Sequence, residues 1–292
     1  MTKPTNTTRT TVTTHTTTKP ILVLGGTGKT GRRVVSRLQQ RGYDTRAASR
    51  TGTTRFDWAD ENTWEPALDG AGAAYLVDSQ LADAATSMSA FGKLAAAGGV
   101  ERLVLLSARD WVVPAGEEKL PCERAVRESG AEWTILKPAW FFQNFDEDPY
   151  FRGQVLDGEV VMSTGDGVEP FIDADDIADV AVAALTEDGH GGQAYELTGP
   201  RLLSLGAVTD EIARATGRDI AYRPVSQADF ADYATRRGVP QEYVGLLNLL
   251  YGWIAESRFA ELADGVQRVL GREPRDFADY VRATAATGVW HG

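Results

Sequence analysis

Three glycines behind a short apolar segment predict a loop that binds the phosphates of a dinucleotide. The four apolar residues 21–24 are typical of a buried strand. Gly25, Gly28 and Gly31 follow them, and a helical pattern begins directly afterwards. A strand, a tight turn and a helix N-terminus in this order form the usual pyrophosphate site. Glycines let the backbone approach the ligand, and free N–H groups at the helix start attract its negative charge.

Two other interpretations of this loop differ in what it binds. Gly28-Lys29-Thr30 has the residue types that end a Walker A motif, but that motif needs a glycine five residues before Gly28, where the chain has Val23. A glycine-rich turn that binds no ligand is the second alternative, and the sequence leaves it open. If the loop binds a dinucleotide, we expect Thr27, Lys29 and Thr30 to contact it as well.

The residue after the second predicted strand indicates which dinucleotide binds. The strand covers residues 43–49, and Arg50 stands where an NAD-dependent enzyme usually has Asp or Glu. An arginine at this place can pair with a 2′-phosphate, and Ser49 offers a hydroxyl beside it. We therefore expect NADPH as the cofactor. A solvated loop arginine is the alternative explanation for Arg50.

Alternating strand and helix patterns predict the fold that positions these residues. Apolar strands and helical segments alternate from residue 21 to residue 138, which is typical of an α/β protein with a doubly wound parallel sheet, the Rossmann fold. Ligands of this fold bind at the carboxyl ends of the strands. We therefore expect further cofactor contacts from residues at or just after predicted strand ends: Asp57, Trp58, Val77, Ser107 and Lys137.

The chain changes character after Pro138. A dense aromatic run follows the sixth predicted strand, and four later segments, 205–216, 227–236, 243–256 and 258–270, have helical patterns. We expect a smaller, mostly helical substrate lobe over 139–292, packed as one unit on an NADP-binding core over 19–138. Aromatic rings could stack on a nicotinamide or a flat substrate, whereas core packing explains any single ring equally well. The candidate substrate-binding residues are Trp111, Trp140, Phe141, Phe142 and Asn144.

Composition limits the classes of partner. The chain of 292 residues has a formal net charge of −11, which argues against a general nucleic-acid surface. Cys122 is its one cysteine, so no intrachain disulfide can form, and CxxC and Cys/His zinc patterns are absent. We expect no metal, and we interpret Cys122 as a buried or helix-face thiol rather than a reactive one. A small-molecule substrate and a monomer or homodimer are the expectations.

The N-terminal segment predicts a tail. Residues 2–18 include eleven threonines and almost no apolar residue. Such a segment cannot bury enough surface to offset its ordering entropy, so we expect residues 1–18 to be disordered. The segment lacks the apolar part of a secretory signal, and no run of about 18 apolar residues occurs, so the expected location is cytoplasmic with no membrane span.

An ordered set of motifs resembles a known family. The set includes Gly25-Gly-Thr-Gly-Lys-Thr-Gly-Arg32, Leu105-Leu-Ser-Ala108, Trp133-Thr-Ile-Leu-Lys-Pro138, Trp140-Phe-Phe-Gln-Asn144 and Gly271-Arg-Glu-Pro-Arg-Asp-Phe277. It resembles the NmrA-like atypical short-chain dehydrogenase/reductases, and among them the bacterial relatives of the ergot-alkaloid festuclavine dehydrogenase group. The resemblance implies NADPH bound by the loop at 25–31 and by Arg50. It also implies reduction of an iminium or a similar unsaturated small molecule.

A missing residue pair bears on the mechanism. Ordinary members of this superfamily use a Tyr-x-x-x-Lys pair for proton transfer, and no tyrosine in this chain has a lysine four residues later. Ser107 matches the family's strand-end serine and is the one candidate for a catalytic residue, without a tyrosine partner. Hydride addition to an iminium yields a neutral amine without an acid. The absence therefore favours reduction of C=N, conjugated C=C or quinone groups over ketones.

The same absence is compatible with other functions. NmrA-like proteins include non-catalytic dinucleotide sensors, which need the cofactor loop but no acid. A redox-neutral biosynthetic enzyme on the same scaffold is a further alternative. The helical lobe and the aromatic run favour a reductase, acting in secondary metabolism, because a sensor has less need of an apolar pocket.

Overall fold

A seven-stranded parallel sheet is the centre of the structure, a computed structural model that describes residues 19–79, 83–109 and 120–291. The predicted tail over 1–18 and the candidate Trp111 lie outside these ranges. The strands in chain order are β1 (Ile21–Leu24), β2 (Thr45–Ser49), β3 (Thr54–Arg55), β4 (Ala73–Val77), β5 (Arg102–Leu106), β6 (Glu132–Pro138), β7 (Glu159–Met162), β8 (Val168–Glu169), β9 (Gln193–Leu197), β10 (Leu203–Ser204) and β11 (Ala221–Pro224).

Helices cover both faces of this sheet and form most of the C-terminal part. A single 3₁₀ turn, Glu61–Thr63, precedes the second helix. The helices are α1 (Gly31–Gln40), α2 (Trp64–Leu68), α3 (Ala84–Ala97), α4 (Pro121–Arg127), α5 (Asn144–Glu147), α6 (Pro149–Asp157), α7 (Ala174–Thr186), α8 (Leu205–Thr216), α9 (Gln227–Arg236), α10 (Gln241–Ala255), α11 (Gly265–Leu270) and α12 (Phe277–Ala286).

The strand order places a crevice beside the glycine loop. The order is β3-β2-β1-β4-β5-β6-β9, and every neighbouring pair is parallel. The order reverses between β1 and β4, and ligands of doubly wound sheets bind outside the carboxyl ends at such a switch point. The predicted Rossmann fold is therefore confirmed.

The side chains of each strand point alternately to the two faces of the sheet, and this divides the core around the sheet into two layers. Ile21 and Val23 of β1 pack with α1 and α7, whereas Leu22 and Leu24 pack with α2, α3 and α4 on the opposite face. Successive side chains of a strand point to opposite faces, so a strand covered on both faces is apolar at every position. This explains why β1 has four buried apolar residues in a row.

A third core belongs to the C-terminal part of the chain. Phe151, Phe230, Tyr251 and Phe277 are among its buried rings, contributed by α6, α9, α10 and α12. Two small sheets, β10 with β8 and β11 with β7, pair within this part. The chain also returns to the main sheet beyond Pro138, because β9 pairs with β6 and α7 packs on it.

The structure corrects the predicted helix over 258–270. Regular helix begins only at Gly265, and Ser257 has a φ of +50°, which ends α10 before that segment. The sequence patterns also missed α6 and α12. No helix within the described ranges has both the length and the apolar character needed to cross a bilayer.

Candidate functional site

The glycine loop is packed tightly against itself on one side. Gly25 has a φ of +62°, a conformation that favours glycine. A Cβ on Gly31 would lie 2.1 Å from the Gly25 carbonyl oxygen, so only glycine fits at the start of α1. The Tyr75 hydroxyl donates to Thr30 Oγ1 at 3.0 Å, which ties the loop to β4. Gly25, Thr30 and Gly31 therefore fix the shape of the loop.

The other side of the loop is open, as a dinucleotide requires. Gly28 and Thr27 are exposed, and among the described residues a Cβ on Gly28 would have one tight contact, with the Gly25 oxygen at 3.2 Å, and no other atom within 4 Å. In the part of the chain that the structure describes, the N-cap residue Thr30 makes no side-chain capping hydrogen bond, and the first turn of α1 contains no acidic residue. The N-terminal end of a helix carries a partial positive charge, which is suited to a pyrophosphate. The exposed side of the glycine loop and the start of α1 therefore fit the pyrophosphate of the predicted cofactor.

Ser49 and Arg50 lie at the carboxyl end of β2, next to this loop. Ser49 Oγ is buried and has no hydrogen-bond partner among the described residues. A buried hydroxyl is rarely left unpaired unless a ligand or water completes it. Arg50 is exposed, so its guanidinium is accessible to a ligand. The pair is therefore suited to a 2′-phosphate, which remains a prediction.

Lys29 and Asn144 were predicted to contact different ligands, and the structure brings them together. Lys29 Nζ donates to Asn144 Oδ1 at 2.7 Å. Burial lowers the pKa of Lys29, although Asp148, Glu147 and Asp146 act in the opposite direction. The contact joins the glycine loop to the segment after β6. Cofactor and substrate contacts would therefore come from adjoining parts of one site.

Asp57 and Trp58 follow β3, and Trp58 lies beside Val77 at the end of β4. Trp58 Nε1 donates to the Val77 carbonyl oxygen at 3.0 Å, which joins the segment after β3 to the end of β4. The Trp58 ring packs edge-on against Phe56 and Phe91 at 5.0 and 5.3 Å. Asp57 accepts from its neighbour Ala59 N–H at 3.1 Å. These three predicted residues thus lie side by side.

Ser107 and Lys137 meet at a buried carboxylate that the sequence did not indicate. Ser107 Oγ donates to Glu123 Oε1 at 2.8 Å, and Lys137 Nζ lies 3.6 Å from the same oxygen. Glu123 is 1 % exposed. The motif around Ser107 identified the strand end, but nothing in the local pattern marked Glu123, which lies 16 residues further along the chain.

The aromatic run after β6 divides between two cores. Phe142 is 1 % exposed and packs on Phe277 at 4.9 Å, so its ring belongs to the C-terminal core. Phe141 is half-buried against the sheet and bridges to Ile172. Trp140 is half-buried, with its ring 5.9 Å from Tyr251. Trp140 and Phe141 thus keep some accessible ring surface, whereas Phe142 keeps very little.

A loop near Arg109 adds aromatic rings that the sequence analysis missed. Arg109 follows β5, and its Nη1 donates to the carbonyl oxygens of Phe259 and Glu261 at 3.2 and 2.6 Å. Phe259 packs edge-on against Trp253 at 5.9 Å, and both rings are half-buried. The contacts hold residues 257–264 close to the end of β5. Trp253 and Phe259 are therefore further candidates for the substrate pocket.

Arginines of α1 anchor the cofactor helix to α7 and α5. Arg33 pairs with Glu147 at 2.7 Å and with Asp175 at 2.9 Å, while Arg37 pairs with Asp175 at 2.9 Å and also with Asp179. Burial raises the pKa of Glu147 and of Asp179, but hydrogen bonds and charges of their arginine partners outweigh it and hold both pKa values below the ordinary ones.

The free energy of unfolding should therefore fall in acid. A carboxylate with a depressed pKa stabilises the fold above its unfolded-state pKa, and this contribution is lost as the pH falls through the folded-state pKa. The ordinary values are 4.5 for Glu147 and 3.8 for Asp179, so the loss should begin near pH 4.5 and continue below it. Arg37→Gln should be less stable at pH 7 and should lose less on acidification.

Urea unfolding at several pH values between 7 and 3 measures this effect. Arg282→Gln is the matched control, because Arg282 pairs only with Asp279 in the described structure and both side chains are about two-thirds exposed, 69 and 66 %. The control should follow the wild type at every pH. An Arg37→Gln profile parallel to that of the wild type would show that the network contributes nothing to acid stability.

Sequence comparisons find similar proteins along nearly the whole chain. A family model described as NAD(P)H-binding matches residues 25–188. The chain is 34 % identical over 281 residues to the uncharacterized oxidoreductase YesF of Bacillus subtilis, covering 93 % of this chain and 98 % of that protein. It is 33 % identical over 277 residues to festuclavine synthase II of Penicillium roqueforti, covering 89 and 96 %. It is 33 % identical over 282 residues to an NAD(P)H azoreductase of Xenophilus azovorans, covering 91 and 98 %.

Solved structures share the fold. The triphenylmethane reductase of Citrobacter sp. complexed with NADP(H) matches with a TM-score of 0.78 and 19 % identity, covering 91 % of this chain and 99 % of that one. An NADPH-dependent quinone oxidoreductase of Escherichia coli complexed with NADPH also gives 0.78, with 22 % identity and coverages of 90 and 99 %. At these identities the likeness concerns the fold.

Proposed function

This chain belongs to the NmrA-like atypical short-chain dehydrogenase/reductases, and from that membership we propose that it is an NADPH-dependent reductase of a flat, small organic molecule. The bond reduced is a C=N bond, a conjugated C=C bond or a quinone. An NAD(P)H-binding domain and oxidoreductase relatives establish the general class. Two observations carry the finer proposal: no tyrosine in the sequence has a lysine four residues later, and Ser107, at the end of β5, donates to the carboxylate of Glu123 instead.

Side chains along the crevice would hold the cofactor in order. The open face of Gly28 and the uncapped start of α1 suit the pyrophosphate, while Ser49 and Arg50 suit the 2′-phosphate. Ser107 and Lys137, on the other side of the loop, suit the opposite half of the dinucleotide. When bound, the reduced cofactor supplies the hydride.

The tyrosines of the sheet support a mechanism without a phenolic acid. The Tyr75 hydroxyl donates to Thr30, and the Tyr195 hydroxyl lies 3.0 Å from His190 Nδ1. Burial raises the pKa of both phenols. A phenol whose pKa is raised is a poor proton donor at neutral pH. Reduction of a cationic or strongly activated substrate, which needs no such donor, is favoured for this reason.

Aromatic rings define the proposed substrate site. Trp140, Trp253 and Phe259 have half-buried rings near the ends of β5 and β6. A flat cation stacked on one such ring gains about 0.5–2 kcal/mol. Relatives and structural neighbours are named as a festuclavine synthase, an azoreductase and a triphenylmethane reductase. These names support a flat conjugated substrate, with a role in secondary metabolism as part of the proposal.

A substrate panel tests the proposal directly. The protein is incubated with NADPH and, in turn, a cyclic iminium, a triphenylmethane dye, a benzoquinone and a simple ketone, and reduced nicotinamide is followed by absorbance. We expect turnover of the first three compounds and at least ~100-fold slower reduction of the ketone, since a general acid is worth 10²–10⁴-fold. Efficient ketone reduction would contradict the acid-free mechanism. Tight NADPH binding without turnover of any compound would indicate a non-catalytic sensor.

A further inference from the structure

A buried carboxylate joins the two polar side chains at the ends of β5 and β6. Glu123, in the first turn of α4, has a side chain only 2 % exposed. Its Oε1 accepts from Ser107 Oγ at 2.8 Å and lies 3.6 Å from Lys137 Nζ. Its Oε2 accepts from Arg127 Nη2 at 3.2 Å. One carboxylate therefore contacts a hydroxyl and two cations.

The register of the sheet explains why these groups meet. Leu106 of β5 is opposite Leu136 of β6, so the next residues, Ser107 and Lys137, are also neighbours. Side chains alternate along strands, so both residues lie on the face that carries Leu105, the face covered by α4. The fold thus presents a hydroxyl and an ammonium side by side to Glu123.

Packing alone gives no reason for a carboxylate at this place. An apolar residue of similar volume often stabilises a core as well as a buried ion pair does. Ala125 and Val126 of the same helix fill the core in this way. A carboxylate differs in that it selects one orientation of each donor that it accepts from, and it therefore fixes the directions of Ser107 and Lys137.

The strand order indicates which ligand half these two residues would face. Arg50 and the glycine loop lie at the ends of β2 and β1, whereas Ser107 and Lys137 lie at β5 and β6, across the switch point. A dinucleotide with its 2′-phosphate at Arg50 places its nicotinamide half on the β5 side. We propose that Glu123 is a positioning residue, which holds Ser107 and Lys137 towards that half; this inference rests on the proposed function.

The test compares a ligand that contains both halves of the cofactor with one that contains only the 2′-phosphate half. Glu123→Gln removes the charge with little change in volume, and affinities are measured by calorimetry for NADP⁺ and for 2′,5′-ADP, which lacks the nicotinamide half. We expect about a tenfold loss for NADP⁺, as for one charge-assisted hydrogen bond, and less than a twofold change for 2′,5′-ADP. Glu128→Gln, the same substitution on the exposed end of α4, should change neither affinity.

The outcomes distinguish positioning from a structural role. The proposal would be overturned if Glu123→Gln left the ratio of the two affinities unchanged, either because both ligands lost affinity equally or because neither lost any. If Glu123→Gln does not fold, Glu123→Asp keeps the charge but shortens the reach to Ser107, and it should show the same selective loss. The ratio requires no substrate, so a wild type that reduces no compound of the panel would contradict the proposed function and leave this test intact.

Discussion

Valine in place of Gly28 should remove dinucleotide binding and leave the chain folded. Gly28 is exposed, and a Cβ there would have one tight contact among the described residues, the Gly25 oxygen at 3.2 Å, which a small shift of the loop relieves. The rest of the valine side chain would extend into the space proposed for the pyrophosphate. Loss of two hydrogen bonds to a charged phosphate costs about 3–6 kcal/mol, which corresponds to a loss in NADPH affinity on the order of 100-fold or more. Fluorescence titration with NADPH, on the wild type and the variant, measures this loss in affinity.

Two other glycine substitutions make the result interpretable. Gly245→Val places the same side chain on the exposed face of α10, where a Cβ meets no atom of the described residues within 4 Å, and NADPH affinity should be unchanged. Gly31→Ala should instead destabilise the fold, because its Cβ would lie 2.1 Å from a backbone oxygen. Unchanged NADPH affinity in a folded Gly28→Val protein would show that the loop is not the cofactor site.

Local sequence patterns predicted the fold well in segments whose buried residues recur at the regular spacing of one helix or strand. The bounds of α8 and α9 agree with the predicted segments 205–216 and 227–236, because each has an unbroken amphipathic pattern between polar residues. The segment 258–264 was predicted as helix and is irregular. Its conformation depends on Arg109, 150 residues earlier, whose side chain donates to the carbonyl oxygen of Phe259. A contact between residues so far apart in the chain leaves no signal in the sequence around either residue.

The candidate site shows the same limit. The glycine spacing and the strand ends predicted where a cofactor would lie, because both are local features. Glu123 was not predicted, since a charged residue in an amphipathic helix usually faces solvent. Its burial depends on Ser107 and Lys137, on two neighbouring strands. The contact between Lys29 and Asn144, 115 residues apart, is also visible only in the structure.

Alanine in place of Arg50 should remove most of the preference for NADPH over NADH. Arg50 is exposed at the end of β2, next to Ser49, whose buried hydroxyl has no hydrogen-bond partner in the described ranges. A charge-assisted pair with the 2′-phosphate contributes about 1.5–3 kcal/mol, or on the order of 10- to 100-fold in affinity. Titrations with both cofactors should therefore show weaker NADPH binding and nearly unchanged NADH binding, with a smaller effect at high salt because exposed charges are screened.

Arg55→Ala is the matched control for this prediction. Arg55 lies opposite Ser49 in the pairing of β2 with β3, but its side chain is 64 % exposed and pairs with Asp60 at 3.2 Å. Removing it changes the local charge by the same amount without removing the proposed phosphate contact, so both affinities should change little. Equal losses of NADPH and NADH binding in Arg50→Ala would show that Arg50 supports the loop rather than reading the 2′-phosphate, because NADH lacks that group.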